Sequence, residues 1–372
     1  MLPIIKQSRF YKSYNLKRKR KFKRKKPSFA KKVIISFLGI ILLFGVLLAH
    51  RLYSYVYQPN IKLNDKTEQF VFIPSNSVFS DVVRILLDEG LLMDKNSFEW
   101  VAERKNYKFN VKAGRYFINR EMNNNELVNM LRSGMQVPLS LSFHNLRTKQ
   151  QLAGKIAMQL ETDSISIIQL INDSTFLDTN RLTKENVSSI FIPNTYEFYW
   201  NTSAKQFAER MLKEYNVFWN SERRKKAADK KLTTTEAITL AAIVESESYK
   251  KEERPIIARL YLNRLEKGMK LQSDPTIIFS IGDFSIRRVL KKDLKIDSPY
   301  NTYINKGLPP GPICLPSINS IDAVLNASDN NYLFMCAKED FSGYHNFATT
   351  SKEHIRNAKK YRRALNKRKI MR

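Results

Sequence analysis

Seventeen consecutive uncharged apolar residues, Val33 to Ala49 (VIISFLGIILLFGVLLA), follow directly on a basic arm and limit what the start of this chain can become. At about 1.5 Å per residue the run is the short end of a bilayer span, and Leu52 with Tyr53, Tyr55 and Tyr57 can extend it into an interfacial aromatic belt. We read residues 33–56 as one transmembrane helix. Residues 1–32 carry fourteen Lys or Arg and no acid, against Arg51 alone on the far flank. The positive-inside bias then places the N-terminus in the cytoplasm and the remainder in the periplasm or its equivalent, as a single-pass protein of the inner membrane. In a soluble protein KRKRKFKRKK would suggest nucleic acid; beside a span it fits anionic lipid headgroups better, and no nucleic-acid partner is expected. A cleaved signal peptide shares this general form, but the arm is long and no A-x-A site follows.

The net charge of +29 leaves +15 beyond the arm, and 43% hydrophobic residues are ample for ordinary cores in the rest of the 372 residues. Residues 57–67 are polar and read as a tether. Then come a strand at 70–73, helices at 78–89 and 96–104, a strand at 114–118, a helix at 124–133 and a strand at 138–143. From Arg147 the pattern turns helical, with main segments at 150–160, 164–171 and 204–219. The block FIPNTYEFYW, 191–200, interrupts it with five aromatics. Such blocks usually pack, yet flat apolar faces also suit sugar rings, so Tyr196 is a candidate cleft residue.

Thr233 and Glu236 form a capping box ahead of a helix over 234–248 that is apolar on several faces and carries Glu245 and Glu247. A carboxyl in such surroundings resists ionisation and can serve as a general acid. The two glutamates cannot work as a pair, because residues two apart point to different sides. Each also has an apolar neighbour one turn-set back, Ile238 for Glu245 and Leu240 for Glu247, so helical geometry leaves open which is the acid. Pro255 opens a second helix over 256–265, Asp274-Pro275 reads as a turn, and a strand at 332–337 and the segment 345–347 precede a basic helix over 351–367. Cys314 and Cys336 could pair or remain free thiols. His50, His144, His345 and His354 show no ligand spacing, so neither metal nor cofactor is expected.

The motifs LAAIVESESYKKEERPIIARLYLNRLEKGMKLQSDPT (240–276), SPYNTYINKGLPPGPI (298–313) and His345-Asn346-Phe347 resemble, in order and spacing, the endolytic murein transglycosylases of the YceG-like family. The likeness covers 233–359 in motif detail, and KAGRYFI and PNTYEF agree with the family's layout. It implies an α+β protein: the transmembrane helix, a small LysM-like βααβ module over 68–145, and a mixed α/β catalytic domain over 146–372. It also implies an enzyme that cleaves the MurNAc-GlcNAc bonds of nascent glycan strands and ends them in 1,6-anhydromuramic acid, with contacts to peptidoglycan synthases. Laid on the family motif, Glu247 is the catalytic acid. Glu245, Asn263, Arg264, Gln272, Asp274, Tyr300, Asn301, Thr302, Tyr196 and His345 become substrate-binding or supporting residues. The alternative is a catalytically silent, membrane-anchored wall-binding protein that recruits synthetic partners.

Overall fold

The computed structural model describes residues 28–63 and 67–368. The chain divides into two compact units, one reaching Gln58 and the other beginning at Pro59. In the first, helix α1 spans Phe29–Tyr57 and buries none of its side chains. Its 29 residues include an 18-residue window of mean hydropathy 2.7, so it is long and apolar enough to cross a membrane. The helix overruns the apolar run at both ends, because nothing in Phe29–Lys32 or His50–Tyr57 breaks it; the Arg51 guanidinium donates to the Tyr55 hydroxyl one turn on, at 3.1 Å.

The second unit is a mixed α/β structure. Strands β1 (Glu68–Ile73) and β2 (Gly114–Asn119) pair antiparallel, with Val71 opposite Tyr116, and enclose α2 (Phe79–Asp88) and α3 (Lys95–Arg104). Alternation of side chains turns Val71, Ile73, Tyr116 and Ile118 inward, where all are fully buried. Helix α4 (Asn124–Ser133) follows, opened by reciprocal bonds between Asn123 and Glu126 and closed by Gly134 in the left-handed conformation. Part of the stretch read as a tether is docked here instead. Ile61 is 2% exposed, and the Asn60 amide donates to the Asn124 side chain and the Asp94 carbonyl at 2.8 Å each.

Strand β3 (Leu139–Ser142) pairs with β4 (Thr195–Phe198), more than fifty residues on, across the helices α5 (Lys149–Ala157), α6 (Ser164–Asn172) and α7 (Ser174–Thr179). Phe143, Ile156, Ile167, Phe191 and Phe207 fill the core between them. Helices α8 (Ala204–Phe218) and α9 (Ser221–Asp229) lead to α10 (Thr234–Glu247). The capping box is present at its start: Glu236 N–H donates to the Thr233 hydroxyl at 3.2 Å, and Thr233 N–H to the Glu236 carboxylate at 2.8 Å. Every residue from Ala237 to Val244 is buried, the signature of a helix wrapped by protein on all sides. Around it lie α11 (Arg254–Glu266), α12 (Asp274–Ile281) and α13 (Ile318–Leu325). The hairpin β5 (Phe334–Ala337) to β6 (His345–Ala348) and the basic helix α14 (Ser351–Lys367) complete the unit.

Asp274 and Pro275, expected as a turn, form the first turn of α12. Proline suits both settings: its fixed φ fits a helix start, where its missing N–H costs nothing. Cys314 and Cys336 are free thiols.

Candidate active site

Glu247 is the last residue of α10, just before the chain turns to extended backbone at Ser248. Its Oε1 accepts two hydroxyl hydrogen bonds, from Tyr261 of α11 at 2.6 Å and from Ser273, just ahead of α12, at 2.5 Å. Its Oε2 has no hydrogen-bond partner among the described residues. Desolvation by the surrounding protein pushes the carboxyl pKa above the ordinary glutamate value; the Ser273 and Tyr261 bonds oppose the rise, the Asp274 charge adds to it, and His345 counters it. Burial outweighs the two donors, leaving a carboxyl biased toward its protonated form. Tyr261, which shares the site, has its own pKa raised by burial and by the Glu247 charge, so it stays a neutral donor.

A layer of fixed polar groups positions this pair of donors. Ser273 is fully buried, and its N–H donates to the Thr302 hydroxyl at 3.0 Å. Gln272 N–H donates to the Thr302 carbonyl at 3.1 Å, and Thr276 and Thr302 share a hydroxyl contact of 2.9 Å. The loop 271–276 is thereby pinned to Thr302 while Gln272, at φ 54, takes the left-handed conformation that Asn, Asp and Gly normally occupy. Its side chain is exposed. Asp274 is exposed too and accepts from the Tyr303 hydroxyl at 2.5 Å.

On the other flank His345 opens β6. Its N–H donates to Glu253 Oε1 at 2.8 Å, and its Nδ1 lies 2.9 Å from Glu253 Oε2. Glu253 is only 5% exposed and also accepts from the Ser248 hydroxyl, the residue after Glu247, at 3.3 Å. The imidazole is therefore oriented from its Nδ1 side.

Several residues expected at the cleft spend their polar atoms inside the protein. The Asn263 amide donates to the carbonyls of Asn330 and Tyr332, at 2.9 and 3.0 Å. Arg264, 7% exposed, donates to the carbonyls of Leu333 and Leu271 at 2.6 and 2.7 Å. Both brace the approach to β5 against α11. Asn301 is fully buried, bonding Leu294 O and Ile296 O through its amide and Tyr303 N–H through its oxygen. Tyr300 packs its ring on Phe279 with centroids 4.7 Å apart, and burial pushes its pKa up to about 12. Tyr196 is the clearest departure. It sits in the β3–β4 core with its hydroxyl bonded to Ile192 O at 2.6 Å, so packing explains the aromatic block there.

Glu245 faces away from Glu247 and has different neighbours. Its Oε2 accepts from Ser317 N–H at 2.8 Å, Ser317 Oγ at 2.5 Å and Ser320 Oγ at 2.6 Å, with Arg254 Nη1 at 3.7 Å. This ties α10 to α13. Sequence reasoning did not single out Tyr261, Ser273, Tyr303 or Glu253. Tyr261 and Ser273 stand inside the motifs YLNRL and LQSDPT, but only the packing of α11 and α12 on α10 shows that their hydroxyls converge on one carboxyl oxygen. Among the described residues no group of three or more His, Cys, Asp or Glu is placed to hold a metal.

The YceG-like family matches residues 71–360, which spans α10, both donors and the Glu253–His345 pair. The chain belongs to this family. An endolytic murein transglycosylase of Bacillus subtilis (strain 168) is 31% identical over 81% of this chain and 87% of its own length. One of Streptococcus pneumoniae (strain ATCC BAA-255 / R6) is 27% identical over 89% of this chain, which spans 65% of that longer protein. The crystal structure of a yceG-like protein from Listeria monocytogenes matches at a TM-score of 0.51 and 29% identity, covering 78% of this chain and 99% of that one. The YceG-like region thus includes the βααβ segment from Val71 as well as the α10 site.

Proposed function

We propose that this YceG-like protein is a membrane-anchored lytic transglycosylase that cuts peptidoglycan glycan strands internally, with Glu247 as its single acid and base. The observation that carries the reading is one half-buried, desolvated carboxyl, biased toward protonation, with Oε1 fixed by two hydroxyls and Oε2 unengaged. Protonated Glu247 donates its proton to the glycosidic oxygen as the C1–O bond of the muramic residue breaks. The resulting carboxylate then takes the proton of that residue's C6 hydroxyl, whose oxygen closes on C1. Glu247 is returned protonated, the strand ends in 1,6-anhydromuramic acid, and no water is consumed. Tyr261 and Ser273 hold the carboxyl during both transfers and support its charged form between them. His345, oriented by Glu253, faces the same carboxyl's field and stabilises that charge.

Asp274 supports a second reading. It is an exposed carboxylate whose charge reaches Glu247, so it could activate water for hydrolysis, the two-carboxylate arrangement of glycosidases. The product decides. Purified sacculi digested by the enzyme should yield muropeptides ending in 1,6-anhydromuramic acid by mass spectrometry; reducing ends in their place would establish hydrolysis. No cleavage at all would favour a wall-binding protein, in which the β1–β2 unit would contribute glycan binding.

The anchor in this reading is α1, with the basic arm in the cytoplasm and the second unit outside, where its substrate lies. A phosphatase reporter fused after Lys367 should be active in whole cells. Activity confined to a cytoplasmic reporter at the same position would reverse the orientation.

A further inference from the structure

Packing accounts for the inward half of the aromatic block 191–200 and leaves Tyr199 over. Along β4, Tyr196 and Phe198 point inward and are buried, and the same alternation sends Glu197 and Tyr199 to the outer face. There they line a pocket of about 580 Å³ with Gln136 from the stretch before β3, Asn201, and Gln206 and Arg210 of α8. The pocket shares no residue with the surroundings of Glu247. Tyr199 is 52% exposed, and no ring or cation packs on its face among the described residues. The amides here are also less committed than those of Asn263 and Asn301. Asn201 spends its side-chain N–H on the Ala113 carbonyl at 3.3 Å and leaves its oxygen unused. Gln206 accepts from Ser203 N–H at 3.0 Å in the cap of α8, which leaves its NH₂ unused. The Gln136 amide makes no hydrogen bond among the described residues, and its Oε1 is buried without a partner.

Charge narrows the ligand class. Arg210 is paired with Glu214 at 2.6 Å and lies 5.6 Å over the Phe198 ring, whereas Glu197 has no cation within 4 Å among the described residues. In a chain of net charge +29 this pocket offers no unpaired cation, so an anionic ligand is disfavoured. What it does offer is an open flat ring for the apolar face of a pyranose, carboxamides for an N-acetyl group and a carboxylate that accepts from sugar hydroxyls. We propose that the pocket is a second glycan subsite, outside the site at Glu247, that seats an N-acetylglucosamine residue of the strand. It rests on the peptidoglycan reading for the identity of the polymer. The muramic residues of such a strand carry a carboxylate of their own, which Glu197 repels, so the uncharged glucosamine residue between them is the one that fits.

The test uses the full-length Glu247→Gln protein, an N-acetylglucosamine tetramer bearing a photoreactive diazirine, and mass spectrometry of the crosslinked peptides. Labelling within 197–210 is expected, reduced about tenfold by Tyr199→Ala and by Glu197→Gln, each of which removes one contact to the sugar. Both side chains are exposed, so both variants should melt with the parent protein. A glucose tetramer, which lacks the N-acetyl groups, should compete poorly for the label. Absence of labelling in 197–210, labelling there that survives both substitutions, or equal competition by the glucose tetramer overturns the subsite. Failure of the catalytic reading looks different: an unsubstituted enzyme that releases no 1,6-anhydro ends from sacculi, while the tetramer still labels 197–210, would sink the transglycosylase reading and leave the glycan subsite standing.

Discussion

Glu245 and Glu247 stand two residues apart on one helix and meet opposite surroundings. Glu245 is gripped by a backbone N–H, two serine hydroxyls and a guanidinium, all directed at one oxygen. Glu247 has two hydroxyls on one oxygen, no cation within 4 Å among the described residues, and a neighbouring aspartate. The difference arises from the 200° rotation between them, which turns one toward α13 and the other toward α11 and α12. A carboxyl with a full set of donors becomes a fastener. One with too few, in a desolvated place, holds its proton more tightly.

The sharpest way to break this contrast is to neutralise each glutamate in turn. Glu247→Gln should lower the cleavage rate by about 10²- to 10⁴-fold, the usual worth of general acid catalysis, with the fold intact. It should also raise the melting temperature relative to wild type as pH increases. Since burial lifts the folded-state pKa above the unfolded one, the stability Glu247 contributes is present below the unfolded value and lost as pH rises through the folded value. Glu245→Gln should do the reverse, costing about 1–2 kcal/mol in urea unfolding and less than about tenfold in rate, because it loosens the α10–α13 tie alone. Loss of activity confined to the Glu245 variant would exchange the two roles.

A smaller effect sharpens the same point. Tyr261→Phe removes one donor that favours the charged form of Glu247, so its pKa should rise further and the alkaline limb of the pH–rate profile should move to higher pH. A limb that stays in place would mean that the rate is governed by some other group.

What could be read in advance was local. The capping box at Thr233 and the alternation in β1 and β2 declare themselves within a few residues, and those elements lie where the signals put them, while the apolar run marks α1 but not its ends. Helix α9 did not announce itself, because SERRKKAAD buries only Ala227 and offers no periodic apolar face. Helix α12 was hidden by a dipeptide that begins turns and helices alike. The pairing of β3 with β4 depends on packing across three intervening helices, which no short window contains. At the site, composition could name polar residues but not their aim. Asn263, Arg264 and Asn301 look like sugar-binding groups in sequence; in the fold their donors are committed to main-chain carbonyls. Whether such a group faces a ligand or a neighbouring strand depends on which loop comes to rest beside it.

The peptide dipoles of a helix sum toward a partial negative charge at its C-terminus, felt within the last turn. Glu247 occupies that final position, with Ser248 already in extended backbone. The helix therefore opposes ionisation of its own last side chain, in addition to the effect of burial. The fourteen residues of this helix, eight of them buried, thus act on the Glu247 carboxyl as an electrical lever as well as a scaffold. Moving the same glutamate to the opposite end of an equally buried helix would reverse the sign of that contribution, even with every neighbour retained.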